Sequence, residues 1–267
     1  MNSRSFRRWR EDSSLKGSVF HGARLMAHGN LIIETFPVGP LACNCTILGD
    51  PATKEAIVVD PGDEPEKIQG RLRTLGLQPV ALVHTHAHVD HIFGTREVAQ
   101  ETRAKILLHE KDQWLYDNLR MQAQWIGLPG VDPIKPSAYL AEGDEVRFGG
   151  FGLRAIHTPG HTPGSLCFHL PEQNLLFSGD TLFAGSIGRT DLWGGSMEEI
   201  VRSIRGKLFK PFEAETQVVP GHGPGTTIGE ERQHETERQK LQGLGQQVRH
   251  PSRDVRGGQD APGRAAA

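Results

Sequence analysis

Cysteine is scarce in this chain: Cys43, Cys45 and Cys167 are the only ones in 267 residues. Three thiols exclude a disulfide framework, and Cys43 and Cys45, two apart, lack the C-x-x-C spacing of zinc and redox motifs. On a strand these two share a face, where reduced thiols pack as small apolar groups, in keeping with a cytoplasmic setting. An excess of one charge is missing too. Lys and Arg number 30 against 32 Asp and Glu, a formal net charge of -2, without the basic surplus of a nucleic-acid binder. No apolar run approaches the roughly 18 residues of a membrane span, and no signal-peptide core lies near the N-terminus. Neither nucleic acid nor membrane is therefore expected as a partner. Phe, Tyr and Trp are absent from Gln233 onward, so residues 233–267, rich in Gln, Arg and Gly, are expected to form a mostly disordered polar tail. Met1 to His28 carries Arg4, Arg7, Arg8 and Arg10 against Glu11 and Asp12. It reads as a disordered extension or a misassigned start, with a transit peptide as the alternative. Residues 29–232 remain for one folded domain.

Between those ends the pattern is one of alternation. Apolar runs bounded by turn residues predict strands at Leu31–Glu34, Cys45–Leu48, Ala56–Val59, Val80–Val83, Lys105–Leu108, Leu153–Ile156, Leu166–Phe168, Leu175–Phe177 and Thr216–Val219. Helical spacing predicts helices over Glu64–Leu75, Arg96–Arg103, Lys111–Gln124 and Met197–Phe209. Strands and helices mixed in this way point to a layered α/β or α+β domain.

Thirteen histidines stand in contrast to the few cysteines, and several are clustered. The apolar run Val80–Val83 leads straight into His84-Thr85-His86-Ala87-His88-Val89-Asp90-His91. Loops at strand ends are where ligands collect in layered α/β proteins. His86 and His88, two apart, send both imidazoles to one side of an extended chain, and Asp90 and His91 come next, on the turn into the following helix. Imidazole and carboxylate suit zinc, iron or manganese. One tetrahedral ion takes about four ligands, and this cluster offers more side chains than one ion holds without crowding, so two adjacent metals suit it better. Thr158-Pro159-Gly160-His161-Thr162-Pro163-Gly164 and Val219-Pro220-Gly221-His222-Gly223-Pro224 each hold a histidine in a Pro/Gly frame, and Ser178-Gly179-Asp180 ends a strand with a carboxylate.

Taken in order, T-H-A-H-V-D-H, P-G-H, S-G-D and P-G-H resemble the metallo-β-lactamase superfamily across about residues 29 to 232. The resemblance implies an α+β fold, a four-layer αββα sandwich with metals at one edge of the sheets. It assigns His86, His88 and His161 to one metal and Asp90, His91 and His222 to a second, with Asp180 bridging. Asp60, in Val58-Val59-Asp60-Pro61-Gly62, matches an aspartate that orients ligands from behind. His84, His109, His157 and His169 match no ligand position and read as structural.

Two divalent ions, zinc before iron or manganese, make a bridging hydroxide available at neutral pH and stabilise an oxyanion. Asp90 and Asp180 are the expected catalytic carboxylates, Asp90 by orienting the water and Asp180 by bridging the metals. Within the superfamily, Gly185-Ser186-Ile187-Gly188-Arg189-Thr190-Asp191 and the run from Pro220 to Glu230 resemble the small glyoxalase II-like proteins. That implies hydrolysis of a thioester such as S-lactoylglutathione to D-lactate and glutathione. No single general acid stands out, and a thiolate of pKa about 8.5 leaves without one. Arg189 is the candidate partner of a substrate carboxylate, with an ion pair to Asp191 as the alternative. Full-length glyoxalase II carries a C-terminal helical region that helps bind glutathione, whereas only a short polar segment lies beyond His222, so the acyl thiol stays open. The alternative is a persulfide dioxygenase, with a single iron on His86, His161 and Asp180. That family usually has Ala before the last histidine and Asp-Tyr after it, where this chain has Gly221 and Gly223-Pro224. A lactonase, a β-lactamase and a catalytically silent metal-binding protein are the remaining readings.

Overall fold

A computed structural model of the chain describes residues 24–28 and 31–236. The architecture belongs to a compact unit that ends at Glu231; of the unit that begins at Arg232, residues 232–236 are described and are helical. Seven strands form the first sheet: β1 (Arg24–His28), β2 (Leu31–Val38), β3 (Cys43–Gly49), β4 (Glu55–Val59), β5 (Gln78–Val83), β6 (Lys105–Leu108) and β7 (Ala138–Tyr139), side by side in that order. Pairing is antiparallel from β1 to β4 and parallel from β4 to β7. The parallel half is connected by helices α1 (Pro65–Leu75), α2 (Val89–Ile92), α3 (Thr95–Thr102), α4 (Gln113–Asp117) and α5 (Leu119–Trp125). The second sheet is built from β8 (Glu145–Phe148), β9 (Phe151–His157), β10 (Leu166–Leu170) and β11 (Leu175–Gly179), then β14 (Gln217–Pro220) and β15 (Thr226–Thr227). A small hairpin, β12 (Leu182–Phe183) and β13 (Ser186–Ile187), and helix α6 (Met197–Ser203) lie in the connection between β11 and β14.

Strand alternation sets the layers. In the first sheet Leu31, Ile33, Leu48, Ile57, Val59, Ala81 and Val83 face one buried cluster together with Leu153, Phe168, Leu175 and Phe177 of the second sheet. Their neighbours Phe36, Cys45, Ile47, Val58, Leu82 and Ile106 point the other way, against Ile68, Leu72, Val98 and Leu115 of the helices. On the far side of the second sheet Ile156, Cys167, Leu176 and Val218 pack on Ile200 of α6 and on Ile204 and Leu208 just beyond it. Three apolar seams between four layers make the αββα sandwich. All three cysteines are free and buried, and Cys43 and Cys45 share one seam.

Three expectations change. Arg24–His28, inside the segment expected to be a disordered extension, pairs antiparallel with β2 from Arg24 opposite Thr35 to His28 opposite Leu31. Backbone ladder bonds on a sheet edge, which need no apolar side chains, account for it. The rest of that extension, residues 1–23, and the tail beyond residue 236 lie outside the described residues. The helix expected over Lys111–Gln124 begins as a 3-10 turn at Glu110–Asp112 and breaks at Asn118, where the Asn118 amide donates to the Trp114 carbonyl at 2.7 Å and the helix restarts. Over Met197–Phe209 the α-helix runs to Ser203 and widens to a π-helix at Ile204–Phe209.

Candidate metal centre

The buried end of β5 delivers the first histidines. His86 and His88 are buried on one side of the loop while Ala87, between them, turns into the apolar seam. The frame that fixes this loop comes from residues without a sequence motif. The fully buried carboxylate of Asp112 accepts the Ala87 N–H at 3.0 Å, the Thr162 hydroxyl at 2.8 Å and the Gly164 N–H at 2.6 Å, tying the loop of His86 to that of His161. Burial pushes the Asp112 carboxyl up to about 6 in spite of these three donors. Gln122 accepts the Val89 N–H at 3.1 Å and donates to the Ala87 carbonyl at 3.0 Å.

His86, His88 and His161 converge. His161 Nε2 stands 3.2 Å from His86 Nε2 and 2.9 Å from His88 Nδ1. The other nitrogens fix the tautomers. His161 Nδ1–H donates to the Arg189 carbonyl at 2.7 Å; His86 Nδ1–H faces the Thr85 hydroxyl at 3.1 Å, which itself donates to Asp60 at 2.7 Å. Lone pairs of His86 and His161 therefore point into one space. Burial holds all three rings below the ordinary histidine range, His88 down to about 3, with the neighbouring imidazoles adding to it for His86 and His88. They are neutral imidazoles, the form that ligates metal.

A second convergence lies beside the first. His222 Nε2 is 3.1 Å from Asp90 Oδ2 and 3.2 Å from His91 Nε2. His91 Nδ1–H donates to Asp60 Oδ2 at 3.0 Å, with Cys43 Sγ 3.5 Å away, and His222 Nδ1–H donates to the Leu41 carbonyl at 3.0 Å. Here charge overrides burial. Burial opposes protonation of His91 and His222, yet Cys43, Asp90, Asp180 and Asp60 around His91, and Asp90 with Asp180 around His222, raise both rings. Asp90 is held well below the usual carboxylate range against its own burial, first by His91 and then by His222. Asn44 clamps the His222 loop: its amide donates to the carbonyls of Pro220 at 2.9 Å and Gly223 at 3.0 Å, and its backbone N–H to Gly221 at 2.7 Å. At Gly221 a β-carbon would meet Asp180 and His91, so only glycine lets this loop approach the centre.

Asp180 stands between the two sets. The register of β11 against β14 shifts between Phe177 and Gly179, and this bulge presents the carboxylate just after it. Asp180 Oδ1 is 3.5 Å from His91 Nε2, while Oδ2 is 3.5 Å from His161 Nε2 and 3.7 Å from His222 Nε2. Oδ1 is buried with no hydrogen-bond partner among the described residues. Such an atom is costly unless a cation compensates it, and the converging lone pairs ask for the same thing. Among the described residues four groups could hold a metal ion: His86, His88 and His161; His86, His91 and Asp180; Asp90, His91 and His222; and Cys43, Asp60 and His91. The donor set therefore fits divalent cations.

The structure thus brings the seven expected ligands together, with Asp60 behind both sets. Arg189 differs. Its guanidinium makes a bidentate pair with Asp191, at 2.7 and 2.9 Å, on the surface, and its backbone carbonyl is what reaches the centre, through His161. His109 and His157 stack on each other at 4.1 Å, His169 packs on Phe212, and His84 is buried beside Thr95. Sequence reasoning missed Asp112, Gln122 and Asn44. Among the described residues no helix is long and apolar enough to cross a membrane.

A family model of the metallo-beta-lactamase superfamily matches residues 38–222. The chain is 39% identical to the hydroxyacylglutathione hydrolase GloC of Haemophilus influenzae over 75% of this chain and 94% of that protein. It is 30% identical to the mitochondrial persulfide dioxygenase ETHE1 of Mus musculus over 72% of this chain and 70% of that protein. Among solved structures, the B3 metallo-beta-lactamase BLEG-1 matches with a TM-score of 0.70 at 37% identity, covering 76% of this chain and 97% of that one. TTHA1623, in a di-iron-bound form, matches with a TM-score of 0.69 at 37% identity, covering 75% and 97%.

Proposed function

The chain belongs to the metallo-beta-lactamase superfamily, and on that premise we propose that it hydrolyses a thioester, an acylglutathione such as S-lactoylglutathione or a related acyl thiol. One observation carries the reading: the Asp180 carboxylate faces His161 with one oxygen and His91 with the other, joining two ligand sets into one centre. Two divalent cations, zinc or else iron or manganese, supply there an acidified water and a polarised carbonyl when bound. His86, His88 and His161 would hold one and Asp90, His91 and His222 the other, with Asp180 shared. The chain's own groups do the positioning. Asp90, ionised and beside His222, orients the attacking water as an acceptor. Asp60 fixes His91 directly and His86 through Thr85. Once His91 and His222 hold metal they have no proton to give a leaving group, which suits a thiolate and not an amine. The likeness to GloC supports the same substrate class.

Arg189 is the proposed contact for a substrate carboxylate, which would take the place of Asp191 on the guanidinium. The second reading, a persulfide dioxygenase with iron on His86, His161 and Asp180, draws on the likeness to the mouse enzyme. The convergence of Asp90, His91 and His222, which a single iron does not require, weighs against it. Purified protein supplied with S-lactoylglutathione, glutathione persulfide under oxygen, an acyl-homoserine lactone and nitrocefin separates these reactions. The thioester is expected to give the highest kcat/KM, and Arg189→Ala to lower it about tenfold for carboxylate-bearing thioesters alone. Oxygen consumption with persulfide and no thioester cleavage overturns the reading.

A further inference from the structure

Asp112, His109 and His157 lie outside both ligand sets, yet they close a circuit behind the first of them. The circuit begins at the buried carboxylate of Asp112. Its Oδ2 accepts the Ala87 N–H, between His86 and His88, and also the Thr162 hydroxyl, next to His161. One oxygen atom thereby measures the gap between the two loops of the triad. Its Oδ1 accepts the Gly164 N–H at 2.6 Å. A β-carbon at Gly164 would stand 2.6 Å from the Asp112 carboxylate carbon, so any other residue there would push the carboxylate away.

The same peptide unit is held from its other end. His157 Nε2–H donates to the Pro163 carbonyl at 2.9 Å, so the peptide joining Pro163 to Gly164 has its oxygen on His157 and its N–H on Asp112. His157 lies flat on His109, with ring centres 4.1 Å apart and planes inclined by 7°. His109 Nδ1 accepts the Lys111 N–H at 3.1 Å and so caps the 3-10 turn Glu110–Asp112, which carries the carboxylate. The path returns there to its start. Burial first, then His157, Lys111 and Lys207, push His109 down to about 4, and burial lowers His157 as well. His109 Nδ1 thus keeps the lone pair that the Lys111 N–H needs. The bonds of this circuit end on the loops of His86, His88 and His161, whereas Asn44 and the Leu41 carbonyl hold His222.

We propose that Asp112, His157 and His109 are positioning residues that set the distance of His161 from His86 and His88, and thereby the metal affinity of the triad alone. The proposal rests on the two ligand sets and not on the choice of thioester, so its tests read zinc binding instead of turnover. Competition against a chromophoric chelator measures each set in the full chain: His222→Ala leaves the triad, and His88→Ala leaves Asp90, His91 and His222. In the His222→Ala chain, Asp112→Asn puts an amide where only acceptors fit and weakens zinc binding at least about tenfold. His157→Phe keeps a flat ring on His109 but loses the donor to Pro163, and weakens the triad about fivefold. His157→Gln restores an N–H for that carbonyl and holds affinity within about twofold of the parent. In the His88→Ala chain none of the three changes moves zinc affinity by more than about twofold. Equal losses in both backgrounds make these residues supports of the whole domain and overturn the proposal. So does a His157→Phe triad that binds zinc like its parent, or a His157→Gln loss as large as that of His157→Phe. Thermal unfolding of the metal-free chains reports whether each variant folds, and where Asp112→Asn does not, the changes at the half-buried His157 decide alone. A His222→Ala chain that binds no zinc overturns the two-set centre itself.

Discussion

The two ligand sets sit side by side and are tuned by opposite means. The triad of His86, His88 and His161 is buried and contains no carboxylate of its own, and desolvation keeps its rings neutral. Asp90, His91 and His222 include a carboxylate and are more open at His222, whose side chain is 27% exposed, and the surrounding acids raise both imidazoles. Their supports differ as well. The triad is held from within its own neighbourhood by Asp112, Gln122 and Thr85, whereas the second set leans on Asn44 and the Leu41 carbonyl from the opposite end of the chain. The difference teaches that burial favours proton-free ligands on one side, whereas on the other the acids favour protons that a cation would have to displace.

Removing the group that joins the two sides has the largest expected effect. Asp180→Ala takes away the carboxylate shared by His91 and His161, so kcat is expected to fall on the order of 10³-fold and metal content to drop from two equivalents. Elemental analysis with steady-state kinetics checks this, and a variant that keeps two equivalents with near-normal kcat removes Asp180 from the bridge. A smaller and unequal loss separates the sides. Asp60→Ala loosens His91 directly and His86 through Thr85, and is expected to lower metal affinity ten- to a hundredfold. Thr85→Val keeps the Asp60–His91 bond and is expected to weaken the triad alone, about tenfold by competition with a chromophoric chelator; equal losses in both variants erase the distinction.

The smallest effect is the most pointed. His222→Ala leaves the imidazole triad intact, and zinc binding at pH 7 is expected to release almost no protons from it. The unaltered chain is expected to release about one more, from rings whose pKa is raised. A ring with a raised pKa binds its proton more tightly, so affinity at the second set falls as pH drops through and just above the ordinary histidine range. At the triad, whose rings titrate lower, affinity holds until the pH is well below that range. Calorimetry in buffers of different ionisation heat reads the proton count, and identical counts end the comparison.

Much of this was legible in the residues, for a physical reason. Nearly every expected strand falls inside an observed one, because buried strands carry apolar runs such as Val80–Val83 and Leu175–Phe177 that flanking Gly and Pro delimit. β8 escaped because Glu145 and Arg147 alternate with Val146 and Phe148 over only four residues, and β12, β13 and β15 are two residues long, too short to have a period. The ligands were legible because imidazole and carboxylate in Pro/Gly frames are costly to place without a use. Asp112 and Asn44 were not: their partners include backbone atoms 52 and 176 residues away, and nothing local marks a side chain whose role is to satisfy a distant N–H or carbonyl.

The order of the ligands along the chain has a consequence for biosynthesis. The triad is complete once His161 has left the ribosome, but His91 waits for His222, 131 residues further on, before the second set exists. The first set of donors can therefore be whole while the last strands of the second sheet are still being made. The second set is not whole until β14 has docked beside β11 and Asn44 has gripped the loop beyond it. A cation held by that second set would thus report that assembly of the domain is finished.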